Sequence, residues 1–438
     1  MNSENPNEDA PMKIEGAKNS RAKIIDCTIR DGGLMNSSRF SDKTVRAVYD
    51  CCADSGAEYM EIGFKNSKKI FSPAEYGAWR FCDEGDIARI IGGRPRNVKL
   101  SVMADAGKSD YKTDILDKSR SPIDLVRVAC YSRQLDEALD MAKDAKDKGY
   151  EVSINLMAAC KLSERQMMSD IERLAESDAD ILYLMDSFGS FYCKHVAALM
   201  KALEGICRPR GKKIGFHAHN NLQLAFAKTV QAEECGADFL DSTLGGLGRG
   251  AGNCNTELLL GYLGRDIAPA MRCVQREIEP MRQKLGWGFA QSYMIAGFLN
   301  QHPRAAMAYQ EKTPDADILE FYEASKAAKD AEITARGRTA VRAHTAFLRI
   351  LYYKQRNNPD SFKEFPKRRA DFRATPANTD PSLICRRLPQ GRYQPAFSPP
   401  PKPPLRTLTT RSSKRTAPPR LPRPSGAAPN PKPNPPPF

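Results

Sequence analysis

Lys213-Ile214-Gly215-Phe216-His217-Ala218-His219-Asn220-Asn221 is an apolar run that ends in two histidines with one residue between them. A β-strand turns successive side chains to opposite faces, so His217 and His219 would share one face. That geometry suits a divalent metal ion. The chain contains only 5 His. Two of them on one face favour a metal site over the alternative, in which each ring hydrogen-bonds a neighbouring backbone group or carboxylate. Far upstream, a second short apolar run, Ile24-Ile25-Asp26-Cys27-Thr28-Ile29, leads into Arg30-Asp31-Gly32-Gly33. Asp31 is the natural third ligand. Two imidazoles and a carboxylate leave positions open on the ion for a carbonyl or enolate oxygen.

Working outward from these runs, β-type apolar segments alternate with amphipathic helical patterns about eight times. The predicted strands are Lys23–Ile29, Tyr59–Phe64, Val98–Asp105, Leu125–Tyr131, Glu151–Ala158, Ile181–Phe188, Lys213–His219 and Phe239–Leu244. They are rich in Val, Ile and Leu without strict alternation, as befits parallel strands covered by helices. Helices are predicted over Ser41–Ser55, Ser132–Lys148 and Ser163–Ser177, with Gly56, Gly149 and Gly236 as stops. No Gly-x-Gly-x-x-Gly follows the first strand, so a (β/α)₈ TIM barrel is favoured over an open doubly wound sheet. Chemistry in such a barrel sits at the strand C-termini. Arg30, Asp31, Glu61, Asp186, His217 and His219 all fall at or near predicted strand ends.

The expected organisation is a disordered arm over 1–22, a catalytic barrel over 23–267, a helical region over 268–358 and a disordered basic, Pro-rich tail over 359–438. Within the helical region, Arg272–Leu285 and Asp317–Arg336 read as helices. The net charge of +14 is concentrated in the tail, which has 16 Lys or Arg against 4 Asp or Glu and about two-thirds of the 31 Pro. The body is almost neutral and the basic excess is confined to the Pro-rich tail, so nucleic-acid binding is disfavoured. The 12 Cys are scattered without a Cys-x-x-Cys pair, as expected in a reducing compartment. No apolar run reaches the length of a membrane span, and residues 1–23 lack the core of a secretory signal. The expected location is cytoplasmic.

With these motifs in hand, the chain from Lys23 to Leu263 resembles the DRE-TIM metallolyase (HMGL-like) superfamily. Asp26-Cys27-Thr28-Ile29-Arg30-Asp31-Gly32-Gly33 is similar to its first-strand signature and Glu61-Ile62-Gly63 to its second-strand carboxylate motif. His217-Ala218-His219-Asn220-Asn221-Leu222 resembles its histidine motif, and Gly245-Gly246-Leu247-Gly248-Arg249-Gly250-Ala251-Gly252-Asn253 its Gly-rich loop. Within the superfamily the resemblance is nearest to 4-hydroxy-2-oxovalerate aldolases. It implies Mn²⁺ or Mg²⁺ held by Asp31, His217 and His219, with Asn253 as a further ligand or supporting group. Arg30 would stabilise a pyruvate enolate derived from a 2-oxo acid substrate, and a homodimer or a dehydrogenase partner would dock through the helical region.

The aldolases of this family carry a His shortly after Arg-Asp-Gly as base for the 4-hydroxyl, and this chain has Leu34 there. Glu61, Lys65, Asp186 and Tyr293 are the candidate substitutes. Glu61 could equally orient other groups, and Asp186 could equally cap the next helix. The loop Lys65–Asp83, with Phe71, Tyr76, Trp79, Arg80 and Phe81, reads as a substrate lid or a subunit contact. An acyl-CoA-dependent 2-oxo acid synthase is the alternative activity, although Arg249 stands where such synthases carry Glu. A non-catalytic metal-binding scaffold is the alternative outside enzymes.

Overall fold

The structure, a computed structural model, describes residues 16–92, 96–312 and 316–334. Most of the expected N-terminal arm, the end of the helical region and the whole Pro-rich tail lie outside the described residues. Eight parallel strands close into a barrel in sequence order. They are β1 Lys23–Asp26, β2 Tyr59–Phe64, β3 Lys99–Asp105, β4 Leu125–Cys130, β5 Glu151–Leu156, β6 Ile181–Asp186, β7 Lys213–Ala218 and β8 Phe239–Ser242. Closure is made by β1 on β8, with Lys23 opposite Phe239 and Asp26 opposite Ser242. The helices on the outside follow the predicted punctuation. Ser41 caps Asp42–Ser55 by accepting from the Thr44 N–H, Gly56 ends that helix in the left-handed region, and Ser163 caps Glu164–Ala175.

Alternate residues of each strand separate two interiors. Val126, Val128, Ile154, Leu182 and Ile214 belong to the large core between strands and helices. Ile25, Tyr59, Leu125, Ile181, Tyr183 and Phe239 plug the inside of the barrel at its N-terminal end. In β2 the register shifts between Glu61 and Gly63, a bulge at which a Cβ would stand 2.1 Å from the Trp79 carbonyl oxygen. The extra residue lets Phe64 join Met103 and Ala129 in an inner cluster at the C-terminal end, so β2 does not leave the barrel wall there.

Several boundaries differ from the sequence expectation. β1 stops at Asp26, three residues before Ile29, because buried Asp26 accepts from the Thr28 N–H at 3.0 Å and from the Thr256 hydroxyl at 2.7 Å. This Asx turn starts the short helix Thr28–Gly32, which carries Arg30 and Asp31. Residues 16–22, expected to be part of a disordered arm, instead turn at Lys18 and bring Ala22 into the core. The expected Arg272–Leu285 helix is composite: Ala268–Cys273, a π-helical turn Val274–Ile278 and Glu279–Leu285. Pro280, near the start of the last piece, has no N–H to continue the α ladder. The later helix is described over 318–334, and no described helix is long and apolar enough to cross a membrane.

Candidate metal centre

Charged residues inside apolar strands build the centre. Arg127 lies in Leu125-Val126-Arg127-Val128-Ala129-Cys130 and Asp241 in Phe239-Leu240-Asp241-Ser242, both on inward-facing positions and both buried. The Arg127 guanidinium stacks 4.4 Å above the Tyr183 ring, on top of the apolar plug. It donates to Glu61 Oε2 at 3.0 Å and to Asp241 Oδ2 at 2.7 Å. One level higher, Arg30 Nε donates to the same Glu61 oxygen at 2.6 Å, and its Nη1 donates to Asp31 Oδ1 at 2.7 Å. Two guanidiniums thus hold three buried carboxylates, and one negative charge is left uncompensated while the imidazoles are neutral. Such a network costs heavily in desolvation unless its geometry is good and its last charge is met.

The atoms that could meet it face one another. One ligand atom each from Asp31, His217 and His219 lie within 4.8 Å of one another, and all three residues are buried. His217 Nδ1 is 2.9 Å from Asp241 Oδ2. An ionised carboxylate can only accept, so Nδ1 carries the proton and Nε2 keeps its lone pair, with no hydrogen-bond partner in the structure. Asn253 donates from Nδ2 to Asp31 Oδ2 at 2.6 Å, and its Oδ1 is likewise buried without a partner. Burial alone would raise the Asp31 carboxyl, yet the charge of Arg30, with the Asn253 hydrogen bond, holds it well below the usual range. Burial also pushes the His219 imidazole well below its ordinary value and keeps it neutral, as a ligand must be.

Orphaned lone pairs on His217 Nε2 and Asn253 Oδ1 beside an ionised Asp31 are the donor set of a divalent cation, and the residues fit one. A second grouping, Cys27, His217 and Asp241, also meets the distance condition. There Arg127 already supplies the positive charge, reaching Cys27 Sγ at 3.4 Å and Asp241 at 2.7 Å, and burial raises the Cys27 thiol well above its ordinary value. The Gly-rich loop closes the centre from above. A Cβ on Gly248 would stand 2.3 Å from Asn253 Nδ2 and 2.7 Å from Asp31 Oδ2, so only glycine lets this backbone lie against those two side chains.

The structure therefore brings Arg30, Asp31, Glu61, His217, His219 and Asn253 together. Lys65 stands apart: the Gly63 bulge leaves it pointing outward to Glu84, with Nζ and Oε1 2.9 Å apart. Asp186 also turns away from the ligands, accepting from the Ser190 N–H at 2.9 Å and pairing with Lys228, which in turn donates to the His219 carbonyl at 3.0 Å. It braces the backbone of His219 and of the loop after β6. Tyr293 is buried against Ala251 and Ala296 and accepts at its carbonyl from Asn221 Nδ2 at 3.0 Å. Leu34 lies against Phe64, Met103 and Ala129 with Met157, so the wall where a base is expected is apolar. In the 65–83 loop, Lys65, Lys68 and Lys69 are each paired to a carboxylate, and Arg80 stacks on Phe64, Phe71 and Tyr76.

Arg127 and Asp241 escaped sequence reasoning, though each left a signal: a lone charge at an inward position of an otherwise apolar strand. Comparison with known proteins agrees with the barrel. The HMGL-like family model matches residues 21–267. An oxaloacetate decarboxylase of Mycobacterium tuberculosis is 30% identical over 272 residues, which cover 62% of this chain and 79% of that protein. A 4-hydroxy-2-oxovalerate aldolase of Thermus thermophilus is 30% identical over 244 residues, covering 55% and 68% respectively. Among solved structures, the N-terminal domain of an aldolase candidate from Bacteroides vulgatus superposes with a TM-score of 0.57 at 27% identity, over 66% of this chain and 97% of that domain. With the family model covering more than half of its length, the chain belongs to the HMGL-like family of the DRE-TIM metallolyases.

Proposed function

We propose that this chain is a divalent-metal-dependent lyase, of the class II aldolase type, that breaks or forms the carbon–carbon bond next to the carbonyl of a 2-oxo acid through a pyruvate-type enolate. Mn²⁺ or Mg²⁺ suits the mixed oxygen and imidazole donors. The observation that carries the reading is Arg30 Nη2, a buried guanidinium N–H with no hydrogen-bond partner on a residue whose other arms are fixed to Glu61 and Asp31. A bound divalent cation would polarise the carbonyl and offset charge on its oxygen. Arg30 adds a preorganised donor to that oxygen, Glu61 and Asp31 hold the donor in place, and Asp241 fixes the tautomer of His217. The relatives named as an aldolase and as a decarboxylase act through chemistry that this arrangement can serve.

The apolar wall at Leu34 supports a second reading within the same chemistry. Retro-aldol cleavage needs a base to take the 4-hydroxyl proton, whereas loss of a carboxylate as CO₂ needs none: the bonding pair passes to the enolate, which then takes a proton at carbon. Both readings share the enolate. Metal-stripped protein and protein with added Mn²⁺ are therefore compared for exchange of the pyruvate methyl hydrogens with D₂O. Exchange that appears only with metal is the expected result, and a folded, metal-loaded protein that neither exchanges pyruvate nor releases CO₂ from a 3-carboxylated pyruvate would sink the enolate reading.

Metal binding has its own readout. At a free Mn²⁺ concentration of about 100 times Kd the folded state gains about 2.7 kcal/mol, visible as a rise in Tm. The same addition should leave a His217→Ala/His219→Ala protein unmoved, and an equal rise there would place the ion elsewhere.

A further inference from the structure

Arg249 is the one residue of the Gly-rich loop whose charge the enolate chemistry does not use. Gly248, its neighbour, lies against Asp31 and Asn253, so the backbone of Arg249 starts at the edge of the metal centre. Its guanidinium touches only neutral groups. Nη2 donates to the Ser187 carbonyl at 3.1 Å, Nη1 is 3.4 Å from His302 Nε2, and Nε is buried without a hydrogen-bond partner. No carboxylate among the described residues lies within ion-pairing distance of it, whereas Arg30 and Arg127 each pair with two at 3.0 Å or less.

His302 sharpens the point. Burial and the neighbouring charges of Arg249, Arg304 and Lys108 push its pKa down to about 3, so the ring is neutral and offers a single acceptor nitrogen. Nδ1 already accepts from the Arg304 N–H at 3.1 Å. Nε2 then carries the proton and faces Arg249 Nη1 donor to donor. Two N–H groups, one charged, face each other, and among the described residues neither has an acceptor within hydrogen-bond distance. The nearest charge acting on Arg249 is that of Asp31; a divalent cation held by Asp31, His217 and His219 would take up that charge and leave the guanidinium to an anionic group on a ligand.

We propose that Arg249, assisted by His302, is a specificity-determining residue that receives a second carboxylate on the part of the substrate remote from the enolate, so that the substrate is a dianionic 2-oxo acid. The assignment rests on the enolate reading for the position of the first carboxylate, but it can be tested apart from it. Lactate and malate differ only in that malate bears a carboxylate in place of one methyl hydrogen of lactate, and neither forms an enolate. Calorimetric titration of the Mn²⁺-loaded full chain with each gives the ratio of their Kd values.

The expected result is malate bound at least roughly tenfold more tightly than lactate, as a charge-assisted hydrogen bond allows. In Arg249→Gln the ratio should fall to near one, and Arg249→Lys should keep part of it. A ratio near one in the unaltered protein, or one preserved in Arg249→Gln, would overturn the proposal. The unaltered protein decides even if a variant does not fold. Failure of both pyruvate exchange and CO₂ release with the malate preference intact would count against the enolate and leave the Arg249 site standing.

Discussion

Arg30→Lys should slow metal-dependent deuterium exchange into pyruvate by about 10²–10³-fold, the usual effect of removing one preorganised donor from a developing oxyanion. Lysine keeps the charge but not the fork. Arg30 meets Glu61 with Nε at 2.6 Å and Asp31 with Nη1 at 2.7 Å, and these two bonds fix where Nη2 points. An ammonium on a flexible stem would be drawn between the same carboxylates, leaving no donor aimed into the site. Because the charge beside Asp31 persists, the substitution separates geometry from electrostatics. Mn²⁺ affinity measured in parallel distinguishes a lost donor from a damaged metal site. A variant that binds Mn²⁺ normally and exchanges within tenfold of the parent would remove Arg30 from this role.

How far the centre could be read from sequence follows from where its information is local. The histidines are legible because period-two geometry puts residues 217 and 219 on one face whatever the rest of the chain does. The helix caps at Ser41 and Ser163 are local in the same way. Arg30 and Asp31 were legible as residues but not in their backbone: the turn that swings them over the barrel mouth depends on Thr256, which is distant in the chain and accepted by Asp26 only once the barrel closes. Lys65 follows β2 as expected, but the bulge at Gly63 that turns it outward is invisible without the Trp79 backbone that presses on it. Asp186 shows the opposite case, an acid at a strand end whose partner, Lys228, lies on the helix after the next strand. Arg127 and Asp241 needed the fold first, because an inward charge means something only when the face it enters is known.

Arg127→Met should destabilise the metal-stripped protein by about 3–5 kcal/mol, the range for breaking a buried ion pair from one side. Arg127 is fully buried between Glu61 and Asp241, above the apolar side chains that plug the barrel. Methionine fills much of the volume and avoids a cavity, so the loss reports the stranded carboxylates. The sign of its pH dependence tests that cause. In the parent protein burial would raise Asp241, but Arg127, the His217 bond and Arg30 hold it well below the ordinary range. Its contribution is thus present above the unfolded value of about 3.9 and is lost as pH falls through the folded value. Without Arg127 burial dominates, the folded carboxyl rises above the unfolded one, and the variant binds a proton that the unfolded chain has released. The difference between the two proteins should therefore be largest near neutral pH and shrink toward about pH 4. Denaturant midpoints followed by the fluorescence of Trp79 and Trp287, both buried, provide the measurement. A loss independent of pH would mean that packing, and not the unpaired carboxylates, is what Arg127 supplies.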